Sequence, residues 1–214
     1  MGFAMHGKCS RILLTLLVIG LGGCATMSGD ECATSDWTAV GYEDGSRGHT
    51  SDRFSKHRKA CAKHGVTPDF TAYQEGRSDG LIEFCQPGRG FNLGSNGGQY
   101  KGVCSVELEA DFLDAYRVGQ QLYTLRSNVS AANSQIYSKE HELEDIEEQT
   151  TEIEVRLVND ETTAEERMSL LADLKRLSKR TGKLNSEIKV LIADLTRHEL
   201  DLQRYEETVS AYGY

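Results

Sequence analysis

From about residue 106 onward the chain contains no proline, and through that whole stretch apolar residues recur at spacings of three and four. One ladder runs from Leu108 through Leu122, Ile136 and Ile146 to Leu157, and twelve of its fifteen positions are apolar; Asp111, Lys139 and Thr150 are the exceptions. A second runs from Arg167 through Leu184 and Ile188 to Val209, with ten of thirteen apolar. A seven-residue repeat held over so many turns commits the chain to long helices that bury one seam against each other. Between the ladders, Asn159-Asp160-Glu161-Thr162 is turn material, and Thr163 with Glu166 makes a capping box for the second helix. The expectation is an antiparallel coiled-coil hairpin over residues 106–214. A helix of ~50 residues reaches ~75 Å at 1.5 Å per residue.

Charge sharpens the pairing. Residues 140–154 hold eight acids and no base, whereas residues 175–183 hold five bases (Lys175, Arg176, Lys179, Arg180, Lys183) and no acid. Folding back at the turn lays one block beside the other. Each exposed pair contributes little, but like-with-like parallel pairing is disfavoured. The ladders leave the assembly open: they complete each other within one chain, or a dimer forms a four-helix bundle.

The first half has a different character, expected as a small helical head over residues 24–105. An aromatic followed by glycines at helical spacing recurs: Trp37 with Gly41 and Gly45, Tyr73 with Gly76 and Gly80, Phe91 with Gly94 and Gly97, Tyr116 with Gly119. Each interior glycine costs a helix about 1 kcal/mol, and close approach of another backbone is the usual offset. Short, tightly packed helices with rings over bare glycine backbone follow. Ser51 and Asp52 start a helix over 53–64, ended by Gly65; Asp69 caps another from Phe70 to about Cys85. Residues 87–98, rich in glycine and asparagine, read as a loop that meets neither phosphate-loop pattern.

The N-terminus reads as a targeting segment. Lys8 and Arg11 precede a ten-residue apolar stretch over 12–21, too short for a membrane span, which needs ~20 residues. It ends in Leu21-Gly22-Gly23-Cys24, which resembles the lipobox of bacterial lipoproteins. That resemblance implies removal of residues 1–23, lipid attachment at Cys24 and, because Ala25 follows, an outer-membrane address facing the periplasm. Two or more acyl chains hold a protein on a bilayer durably. Loss of Lys8 and Arg11 takes the net charge from −9 to −11, so the membrane partner is met through lipid and not through a basic surface. The same acidity excludes a phosphate-tracking nucleic-acid binder.

Cys9 leaves with the leader and Cys24 is taken by lipid, so Cys32, Cys61, Cys85 and Cys104 remain as disulfide candidates for an oxidising compartment. Three connectivities are open; the shorter loops favour Cys32–Cys61 with Cys85–Cys104. A rival reading is a metal site from His57, Cys61 and His64 at i, i+4 and i+7, but zinc needs a fourth ligand and no CxxC pair is present. No metal or cofactor is expected.

Across residues 28–125 the spacing of Cys32, Asp36-Trp37, Gly41-Tyr42-Glu43-Asp44-Gly45, Gly48, Cys61, Gly65, Tyr73, Gly76-Arg77, Gly80-Leu81, Cys85, Gly90-Phe91, Gly94, Gly97, Tyr100 and Gly102-Val103-Cys104 resembles a family of Gram-negative lipoproteins defined by domain of unknown function 2799. The resemblance implies an envelope lipoprotein and no established activity.

HExxH does not occur, and GxSxG (Gly76 to Gly80) and SxxK (Ser186 to Lys189) occur only inside stretches that read as helix. Two function classes follow. One is a non-enzymatic structural or adaptor lipoprotein whose arm, through residues 140–185, meets an envelope protein or the cell wall. The other is a small-ligand or glycan-binding module in which Trp37, Tyr42, Tyr73 and Phe91, with Arg77 or Arg89, form an aromatic platform.

Overall fold

The structure, a computed structural model, describes residues 27–211 and Gly213. The expected leader and Cys24 lie outside the described residues. Of the described residues, 82% are helical. Among the described residues there are seven helices: α1 (Gly29–Thr34), α2 (Trp37–Ser46), α3 (Asp52–Ala62), α4 (Phe70–Phe84), α5 (Pro87–Ser95), α6 (Val106–Val158) and α7 (Ala164–Ala211). Three pairings dominate: α2 on α4, α5 on α6, and α6 on α7. No helix among the described residues is long and apolar enough to cross a membrane.

Local chemistry sets most boundaries. Ser28 and Glu31 form a capping box on α1, so the first helix begins at Gly29. Asp36 Oδ1 accepts from the Thr38 and Ala39 amides at the start of α2, and Asp69 Oδ1 does the same for Thr71 and Ala72 on α4. Helix α3 starts at Asp52 without a side-chain cap from Ser51, and Gly65 follows its end at φ +71°.

Residues 87–95 correct the loop expectation: they are helix α5. Pro87 occupies its first turn, where a missing N–H costs nothing. Its glycines, poor for an isolated helix, are what admit the backbone of α6. A Cβ on Gly94 would stand 2.2 Å from the Tyr116 carbonyl oxygen, and one on Gly119 the same distance from that of Phe91. Packing against a neighbour outweighs intrinsic propensity here.

The two long helices form an antiparallel hairpin. Tyr205 donates to the Val118 carbonyl (3.0 Å), Arg126 pairs with Glu206 (2.8 Å), and Arg180 binds both oxygens of Glu142 (2.6 and 2.7 Å). Both sequence ladders are sheltered or half-sheltered along their length; Asp111 alone is exposed. Arg167, a polar rung of the second ladder, fastens the turn by donating to the carbonyls of Leu157, Asn159 and Thr162. Thr163 and Glu166 exchange the expected capping-box hydrogen bonds.

Candidate functional site

The head is built from two copies of one unit. In the first, residues 41–48 read Gly-Tyr-Glu-Asp-Gly-Ser-Arg-Gly; in the second, residues 90–97 read Gly-Phe-Asn-Leu-Gly-Ser-Asn-Gly. Each octet ends its helix in the same way. Gly48 and Gly97 adopt φ of +66° and +70°, with the next residue's amide bonded back to Asp44 O (2.9 Å) and Leu93 O (2.8 Å). That is the paired carbonyl capping of a Schellman motif, which asks for a left-handed residue. Each octet crosses a second helix at glycine, Gly76 and Gly80 of α4 or Gly119 of α6, where backbones meet directly. The following ring, Phe84 or Tyr123, lies over the left-handed glycine. Even the capping of the carbonyl beyond that glycine recurs: Arg77 Nη2 donates to His49 O and Tyr116 OH to Gly98 O, both at 2.9 Å.

Each unit is closed by one disulfide running from before its first helix to before its second. Cys32–Cys61 closes the first and Cys85–Cys104 the second. These are the shorter-loop pairs. Phe84 of the first unit and Phe112 of the second join the two at 5.3 Å between ring centroids.

The units differ where chemistry concentrates. In the second, Leu93 and the fully buried Phe112 occupy equivalent positions on the two crossing helices. In the first, those positions hold Asp44, only 5% exposed, and Tyr73, 1% exposed. Asp44 is a hub. Its Oδ2 accepts from Tyr73 OH at 2.9 Å and lies 2.8 Å from His57 Nε2, and Arg53 Nε stands 3.5 Å from Oδ1. Burial pushes the Asp44 carboxyl up, but the hydrogen bonds from His57 and Tyr73, with the charges of His57 and Arg53, outweigh it and hold it below the ordinary 3.8. Its ionised form therefore stabilises the fold above that value, and the contribution is lost as pH falls through the depressed one. Burial raises the Tyr73 hydroxyl above its ordinary value, and the bond to Asp44 adds to this.

The hub fixes α3 to the unit. His57 also meets Trp37 edge-on at 6.1 Å, Phe54 packs on Tyr73 at 4.8 Å, and Cys61 is tied to Cys32. An Asp–His pair of this kind can orient an imidazole for proton transfer, but the thiol one turn on, Cys61, is spent in the disulfide and is no nucleophile. The three residues of the metal reading part company: His57 faces Asp44, Cys61 faces Cys32, and the His64 ring lies against Gly29.

The rings expected as a platform do not share a surface. Trp37 (8% exposed) and Tyr73 belong to the core with Cys32, Phe54 and Cys61. Tyr42, 39% exposed, donates to Glu83 on the outside, and Phe91 sits half-buried on α5 in the other unit. Arg77 serves the His49 carbonyl, and Arg89 pairs with Glu83 at 2.8 Å.

On the arm, the charge blocks overlap as expected but join at one point. Among the described residues, Glu142–Arg180 is the one ion pair between them. Also among the described residues, Glu140, Glu144, Glu147, Glu148, Glu152 and Glu154 have no ion pair, and Glu144, Glu147, Glu148, Thr151, Glu152 and Val155, with one base, Arg156, line an open groove on α6. The tandem unit is legible in the matching octets; the hub is not, because Asp44-Gly45 looks like turn chemistry until α4 is placed beside it.

No curated protein and no solved structure matches the chain. Residues 36–121, from the Asp36 cap of α2 through the Gly119 crossing on α6, match the family described as protein of unknown function (DUF2799).

Proposed function

We propose that this protein is a lipid-anchored envelope protein without a catalytic task, in which the head is a rigid base at the membrane and the hairpin carries the contact with another envelope component. The anchor is Cys24 and the address the periplasmic face of the outer membrane. Two disulfides suit an oxidising compartment. The observation that carries the reading is the acidic face of α6, which α7 leaves without counter-charges. A partner matching it presents basic groups around an apolar side chain that seats on Val155, exposed among Glu148 and Glu152. The ligand-platform alternative has less to stand on, since Trp37 and Tyr73 are core residues.

Photo-crosslinking amino acids at Glu148, Glu152 and Val155 in intact envelopes are expected to trap one recurrent partner, lost when Glu148 and Glu152 become lysine. A blank at all three positions removes the adaptor reading. Separately, cells grown on labelled palmitate should yield labelled protein, and Cys24→Ser should release it from the membrane fraction; unlabelled protein, or a variant that stays bound, removes the anchor.

A further inference from the structure

The two flanks of the hairpin are unlike. In heptad terms the seam is a and d, and in an antiparallel pair g faces g and e faces e. On the g flank, Glu142 meets Arg180, and Glu187 takes both Lys139 and Lys183. Of the g residues, Glu142, Asp173, Arg180, Glu187 and Asp194 are half-buried, and Gln149 and Arg156, nearer the turn, are exposed. The e flank has nothing comparable. Its residues Glu140, Glu147 and Glu154 on α6 and Leu171, Ser178, Asn185 and Ile192 on α7 are all exposed. Between the Arg126–Glu206 pair and the turn, no ion pair among the described residues crosses it. Large apolar side chains stand in water on this flank: Tyr137 and Val158 of α6, Met168, Leu171 and Ile192 of α7, with Val158 79% exposed. Over roughly 30 Å of arm this surface has the chemistry of half an interface.

We propose that the occupant is a second copy of this chain, seated flank to flank to make a four-helix bundle. The charges choose both the partner and its direction. On the e and neighbouring b positions, α6 carries Glu140, Glu144, Glu147 and Glu154 with no base over 137–158, and α7 carries Lys175 and Lys189 with no acid over 168–192. A two-fold axis along the hairpin lays each α6 against the other copy's α7, at matching height, so that acids meet lysines and the two turns lie at one end. A two-fold across the hairpin would lay α6 on α6, acid on acid, and is disfavoured. The surface is therefore complementary to itself in one arrangement. The inference needs neither the lipid anchor nor an envelope partner, and it keeps both heads at the same end.

Sedimentation equilibrium on the purified full chain should give twice the chain mass at micromolar concentration. Lys175→Glu with Lys189→Glu should weaken the dimer about tenfold, since each exposed pair is small but occurs twice about the axis. Adding Glu140→Lys with Glu147→Lys should restore it; all four positions are exposed, and circular dichroism checks that the helices persist. For direction, a chain carrying Glu147→Cys is mixed with a tagged chain carrying Ser178→Cys and treated with a short bis-maleimide. Mixed crosslinks support the parallel two-fold. A monomer up to about 100 μM overturns the proposal, and so does Glu147→Cys crosslinking chiefly to itself. Because these measurements use isolated protein, their failure leaves the partner reading untouched, and a blank in envelopes leaves this one standing.

Discussion

Asp44 and Tyr73 show what one position can be asked to do. A buried carboxylate is expensive unless every lone pair finds a donor, and an apolar pair of similar size is often as stable or more so. The second unit makes that comparison inside the same chain, since its backbone closes in the same way around Leu93 and Phe112. The polar pair is therefore not a demand of the helix crossing; it exists for what it holds, which is His57 and Arg53 of α3. Asp44→Leu alone leaves the Tyr73 hydroxyl buried without an acceptor and should destabilise by about 1–3 kcal/mol. Adding Tyr73→Phe should return most of that loss, so the double variant unfolds at higher denaturant than the single. In both, amides of residues 52–62 should exchange faster while those of α2 and α4 stay protected. Equal protection of α3 in wild type and double variant would mean that the hub does not hold it.

At the scale of elements, the close crossings set what each helix tolerates. A Cβ on Gly76 would stand 1.8 Å from the Thr38 carbonyl oxygen, and that oxygen belongs to backbone with no flexible end to yield. Gly76→Ala is expected to cost several kcal/mol, in the range of severe overpacking, or to prevent folding of the first unit. Gly182 is the counter-case: it lies within α7, and an added methyl would meet nothing within 4 Å, so Gly182→Ala should stabilise by about 0.5–1 kcal/mol through helix propensity. Thermal unfolding of the two variants gives opposite signs if backbone approach, and not propensity, governs the head. The same contrast explains how much the amino-acid pattern discloses. The arm is legible because its signal is periodic and local: the ladders, the turn at 159–162 and the box at Thr163 and Glu166 follow from side-chain spacing. Helix α5 is not, because Gly90 and Gly94 are poor helix formers alone and become an asset only where Phe112 and Tyr116 bring α6 against them. The disulfide pairs are legible by loop length, whereas the glycine crossings are visible only as recurrence, without the partner each meets.

For the molecule as a whole, the head and arm share one helix, so the direction of the arm is fixed by the head's second unit. Gly119 of α6 crosses α5, and from there the same helix runs unbroken to Val158. A rigid base and a continuous helix make a spacer whose reach is set by residue count, at 1.5 Å per residue. Because the seam repeats every seven residues, the arm can be shortened without changing its chemistry, provided both helices lose one repeat at the same height. Glu142 and Arg180 mark that height. Deleting residues 140–146 together with 178–184 removes a matched pair of repeats and should shorten the particle by about 10 Å, read as maximum dimension by small-angle scattering, with fractional helicity preserved. Deleting five residues from α6 alone rotates the seam away from α7 and should cost helicity and cooperativity. If the arm works by reaching, the matched deletion should also abolish crosslinking to an envelope partner from Glu152 and Val155 even though both residues and their groove neighbours Glu147, Glu148 and Thr151 are retained. Crosslinking that persists from the shortened arm would mean that surface chemistry alone, and not distance from the head, selects the partner.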